Sequence, residues 1–89
     1  MTSSENESFV LSKHAEQVMY ERRIARDWVQ LTLSRPQRKE PDKADRGLLH
    51  ALRAIPDRGD QVLRVVYDPS SKPWRVITVF FDRRARRPL

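Results

Sequence analysis

Eighty-nine residues, with 18 Lys and Arg against 12 Asp and Glu and a net charge of +6, make one small domain at most. A chain of this size buries only about 60–65% of its unfolded surface, so the core has to be small. The absence of cysteine excludes disulfide frameworks, iron–sulfur clusters, thiolate zinc sites and cysteine nucleophiles. Leu, Ile, Val and Phe supply 22 of the 89 residues, above the ~20% below which a charged chain is expected to stay disordered. No apolar run approaches the ~18 residues that span a bilayer, and the opening residues are polar and acidic rather than a basic signal peptide. The expectation is a soluble cytoplasmic protein with no membrane partner.

Charge is unevenly placed. Residues 1–45 carry eight cations and eight anions, whereas residues 46–89 carry ten and four. Arg accounts for 14 of the 18 cations, and its rigid fork of donors matches phosphate oxygens better than the hydrated ammonium of Lys. An Arg-rich half-domain points to a polyanion, most simply nucleic acid, although a solvated surface with an acidic protein partner has the same composition.

In chain order, residues 1–8 hold no apolar side chain after Met1 and read as a disordered tail. Phe9-Val10-Leu11 is long enough only for an edge strand or a lead-in. Ser12 stands where a helix N-cap belongs, and from Lys13 the apolar positions Ala15, Val18 and Met19 fall on one helical face. His14 flanks that stripe in the first turn, in line with Val18 and Arg22. The first helix should end near Arg23-Ile24. A second runs from about Asp27, with Trp28, Val29, Leu31 and Leu33, until Pro36 closes it. Residues 35–47 hold two prolines, a glycine and alternating charges, the composition of a loop. Leu48–Ile55 fits a helix or a strand, and its length and the Pro56-Asp57-Arg58-Gly59 turn after it favour the strand. Gln61–Tyr67 and Trp74–Phe81 are the clearest strands, joined by a hairpin loop over 68–73. A single domain over residues 9–83 is expected, followed by a basic tail over 84–89.

Alternation sorts each good strand onto two faces. With Val66 opposite Val76, Arg64 opposite Thr78 and Val62 opposite Phe80, the other face collects Leu63, Val65, Ile77 and Val79 for covering helices. One face is then left with Arg64 and Thr78 amid apolar residues. A strand-centre Arg needs an anion, either an internal carboxylate such as Asp60 or Asp82 or a ligand phosphate. The two histidines are candidates for proton transfer. His14 lies at a helix N-terminus, where the dipole favours the neutral ring. Neither histidine sits in a metal-ligand pattern, and Gly47 and Gly59 cannot make a glycine-rich phosphate loop.

The string Leu11-Ser12-Lys13-His14-Ala15, then Met19, Arg22-Arg23-Ile24 and Val29, then Leu63-Arg64-Val65-Val66-Tyr67, and finally Val76-Ile77-Thr78-Val79-Phe80-Phe81-Asp82-Arg83, resembles the bacterial domain-of-unknown-function family 4258. That family is similar to the RelE- and BrnT-like toxins of the barnase–EndoU–colicin–RelE ribonuclease grouping. The resemblance covers roughly residues 9–83. It implies an α+β fold, two N-terminal helices packed on a small antiparallel sheet in the RelE-like manner. It also implies a metal-independent endoribonuclease toxin without a cofactor, partnered by RNA and by a small acidic antitoxin, with a homodimer also allowed. Ala25 departs from the Ser or Thr expected to cap the second helix.

Carried onto this chain, the resemblance places the catalytic roles on His14, Arg64 and Thr78, with His50 matching less securely. Arg22 or Arg23, Tyr67, Arg53 and Arg83 complete the candidate substrate-binding set. Metal-free RNA cleavage needs a base for the 2′-OH, cations for the charged phosphorane and an acid for the leaving oxygen. His14 suits the first or last of these, and Arg64 with Arg22 or Arg23 the second. Tyr67, with an ordinary pKa near 10, suits an acid or a stacking platform. A non-catalytic RNA- or acidic-partner-binding module of the same fold is the alternative, and a purely structural protein the third reading.

Overall fold

The computed structural model describes residues 9–85 and 89, and the tail expected over 1–8 and positions 86–88 of the basic tail lie outside them. Ser12 caps α1 (Lys13–Arg22) by accepting from the Ala15 amide at 3.0 Å. Arg23 ends it in the left-handed region at φ 57°, where the Ile24 amide reaches back to the Met19 carbonyl at 2.9 Å. The apolar stripe of α1 puts Ala15 and Met19 in the core. α2 (Arg26–Ser34) follows after Ala25 and buries Val29, Thr32 and Leu33, while the Thr32 hydroxyl donates to the Trp28 carbonyl. Ala25 holds the extended conformation of an N-cap but offers no side-chain hydrogen bond.

Five strands follow the order β1-β5-β4-β3-β2. They are β1 (Phe9–Leu11), β2 (Arg38–Pro41), β3 (Leu49–Ile55), β4 (Gln61–Asp68) and β5 (Trp74–Phe81). The two helices on one sheet make the fold α+β, as expected. The sheet is mixed rather than antiparallel throughout, because β1 pairs with β5 in parallel. Residues 35–47 are not all loop either, since β2 lies within them as an edge strand on β3. Its side chains are polar because an edge strand with one neighbour owes the core little, and Pro41 ends it where a missing amide is harmless. Leu49–Ile55 is a strand.

The register of the terminal hairpin differs from the expected one by two residues. Arg64 faces Phe80 and Thr78 faces Val66, so Arg64 and Thr78 still share a face but sit on adjacent rungs. A bulge at Ile77 then shifts the pairing, and Tyr67 faces Val76. The helix-covered face therefore gathers Leu63, Val65, Tyr67, Val76 and Val79, with Val76 in the place expected of Ile77. The bulge carbonyl at Ile77 accepts from the Ser12 hydroxyl at 2.9 Å, and the Ser12 amide donates to the Val76 carbonyl at 3.0 Å. One serine thus starts α1 and fastens its first turn to the irregular point of β5.

Candidate functional site

That fastening positions the first functional side chain. His14 follows Ser12 by two residues, and its Nε2 lies 3.1 Å from the Thr78 hydroxyl. The hydroxyl is the partner able to donate whenever that nitrogen is unprotonated. His14 is exposed, and from Thr78 a groove runs between α1 and β5, lined by Val18, Glu21, Arg22, Arg58, Phe80 and Arg83. Val18 and Arg22 are one and two turns along α1 from His14, the line expected from their spacing. Arg22 and Arg83 are exposed and have no carboxylate within ion-pair distance among the described residues. Arg58 stacks on the rings of Trp28 and Phe81 at 5.7 and 4.6 Å, which fixes its head at the groove wall.

On the other side of Phe80 lies a second depression, built around Arg64 and lined by Glu40, Asp42, Lys43 and His50. Its geometry is the opposite of the groove's. The Arg64 guanidinium donates from Nε to Asp82 Oδ2 at 2.8 Å, with Nη2 also 2.8 Å from that oxygen, and from Nη1 to Glu40 Oε1 at 3.1 Å. Nη1 also stands 2.8 Å from His50 Nδ1. A guanidinium has no acceptor, so Nδ1 must accept, and the ring proton sits on Nε2, from which it is donated to Asp42 Oδ1 at 2.7 Å. His50 is therefore held at both ring nitrogens. Asp82 is the internal carboxylate that a strand-centre Arg requires.

The carboxylates of this cluster are shifted down. For Glu40 the hydrogen bond from Arg64 leads, outweighing the cost of burial. Asp42 is lowered to about 2, chiefly by the Asp45 amide, then by His50 and the Ala44 amide. Burial pushes Asp82 up, but the Arg84 amide and Arg64 together hold it below its ordinary value.

The structure thus brings His14, Thr78, Arg22 and Arg83 to one groove, and His50 and Arg64 to the neighbouring depression. Three expected positions fall elsewhere. Tyr67 is fully buried in the helix-covered core against Trp74, with ring centroids 4.8 Å apart, so it can neither donate a proton to a substrate nor stack on one. Arg53 pairs with Leu63, on the helix side of the sheet, and donates to the Arg35 carbonyl at 2.7 Å. Arg23 is the left-handed residue that ends α1 and lines a different hollow beside Tyr20, leaving Arg22 as the helix-end cation of the groove. Arg64 itself, enclosed by two carboxylates, is a hub that holds the sheet face rather than an open phosphate ligand. Sequence reasoning missed Arg58 and Phe80, and also Glu40 and Asp42. Alternation already placed Phe80 on the face of Arg64 and Thr78. The acidic pair gave no signal, because its segment read as loop.

No helix is long and apolar enough to cross a membrane, and no three metal-donor side chains converge, both statements applying to the described residues. A family model described as a domain of unknown function, DUF4258, matches residues 11–81. No curated protein and no solved structure shows significant similarity.

Proposed function

The chain belongs to the DUF4258 family, whose description assigns no activity, and from its resemblance to RelE-like toxins taken together with the site geometry we propose that it is an RNA-binding, metal-independent endoribonuclease, the toxin of a toxin–antitoxin pair. One observation carries the reading: an exposed histidine hydrogen-bonded to a threonine at the head of a groove lined by unpaired arginines. Arg22 and Arg83 bind a backbone phosphate, and on substrate binding the Thr78 hydroxyl turns its one proton from His14 Nε2 to a phosphate oxygen, which frees the ring's lone pair to act as base. His14 Nε2 takes the 2′-OH proton. The 2′ oxygen attacks phosphorus, the P–O5′ bond breaks, and the 5′ oxygen takes a proton from water. The products are a 2′,3′-cyclic phosphate and a 5′-hydroxyl end. A positioned base of this kind contributes about 10²–10⁴-fold. The same uncompensated cations suit a small acidic antitoxin, which would cover the groove by charge complementarity.

The saturated bonding of Arg64 and His50 favours a second reading, a non-catalytic RNA-binding module of the same fold, because no other histidine is left to return a proton to the leaving oxygen. Purified protein incubated with RNA separates the two. Cleavage to cyclic-phosphate ends, lost by at least ~100-fold in His14→Gln with RNA affinity retained, is the expected result. Binding without cleavage supports the module. Neither cleavage nor salt-sensitive binding, together with unimpaired growth on induced expression, overturns both.

A further inference from the structure

Phe80 is the most exposed phenylalanine of the sheet, at 42%, yet it stands opposite Arg64 near the end of β5, between two charged depressions. Its neighbour Phe81 shows what the same side chain does when it serves the core. Phe81 packs edge-on against Trp28 with centroids 6.1 Å apart and lies beneath Arg58. Phe80 has no ring partner and no stacked cation among the described residues. A single exposed apolar residue needs no explanation in general, and Val10 and Tyr20 are exposed but line neither depression. Phe80 differs in its surroundings. Thr78 precedes it by two residues on the same strand face, an advance of about 6.8 Å, comparable to the distance between a phosphate and the base on its own sugar. Arg22 and Arg83 flank it on the groove side.

We infer that Phe80 is a stacking platform for one unpaired base, so that the groove takes single-stranded RNA and discriminates against duplex. The inference rests on the RNA-binding reading above and deepens it by naming the substrate class. A phosphate held by the arginines next to Thr78 leaves its base over the Phe80 ring. A base locked in a duplex cannot turn its face to that ring, because A-form helices present only backbone and groove edges. Stacking of this kind tolerates any base, so the specificity is for strandedness and not for sequence.

The test is binding at several salt concentrations to 2′-O-methyl oligonucleotides, which lack the attacking hydroxyl and stay intact. Wild-type protein should hold a labelled single strand at least ~10-fold more tightly than a duplex of equal length. Phe80→Ala should lose about ten-fold on the single strand and little on the duplex. Phe80→Trp should retain the preference, which separates stacking from a folding defect. An oligonucleotide with abasic positions should bind wild type as weakly as the intact strand binds Phe80→Ala. Equal affinity of wild type and Phe80→Ala for the single strand overturns the inference while leaving RNA binding standing. So does a Phe80→Ala variant that fails only to bind an acidic protein. Absence of any salt-dependent RNA affinity in wild type removes the parent reading as well.

Discussion

Phe80 divides two regions with contrasting chemistry. On one side Arg64, His50, Asp42, Glu40 and Asp82 are bonded to one another and to neighbouring backbone amides and Arg38. On the other, His14 has one hydrogen bond, and Arg22 and Arg83 have no ionic partner among the described residues. A charge already satisfied by its own fold has to give something up before it can bind a ligand, whereas an unsatisfied one gains by binding. The contrast therefore assigns shape to the first region and work to the second, although both contain a histidine and an arginine.

The contrast is broken most severely at Arg64. Arg64→Met strands two carboxylates and a histidine beside a largely buried site and should cost about 3 kcal/mol of stability, read from the urea midpoint. His14→Ala should cost less than about 0.5 kcal/mol on the same measurement, and equal losses in the two variants would end the distinction. Acidification acts on the same side. Glu40, Asp42 and Asp82 have folded pKa values below their ordinary 4.5, 3.8 and 3.8. Their contribution is complete above those ordinary values and is lost as pH falls from about 4.5 toward about 2. Urea midpoints should hold steady from these groups between pH 7 and 5, then drop, and Arg64→Met should flatten the drop because Arg64 is the leading cause at Glu40. In the groove, Arg22→Ala should weaken RNA binding across all sequences and lower the slope of log affinity against log salt by about 1. The smallest effect lies outside both regions. Ala25→Ser supplies the missing cap of α2 and should add about 0.5–1 kcal/mol, with RNA affinity unchanged.

The helices and the two long strands were legible because each carries its own period, and Ser12 and Pro36 mark ends by local chemistry alone. The resemblance to the DUF4258 family also held, over residues 11–81. β2 was not legible, since three charged residues followed by a proline hold no apolar period. The Ile77 bulge was hidden as well, because an extra residue in a continuous run of β-formers leaves no mark in composition. Two errors about the site had a remedy already in the sequence. Alternation put Tyr67 with Leu63 and Val65, on the face away from Arg64, so its burial followed from the pattern that nominated Arg64. The same alternation put Phe80 beside Thr78. Arg53 was harder, because its side depends on which strand β3 pairs with.

The parallel pairing of β1 with β5 joins the first strand of the sheet to the last. His14 and Thr78 are 64 residues apart and meet only because the last strand slots in beside the first. A nascent chain still lacking β5 has neither the threonine nor the bulge carbonyl that fastens Ser12, and it also lacks Phe80 and Arg83 from the groove wall. The site therefore cannot assemble until β5 has been made and has paired beside β1.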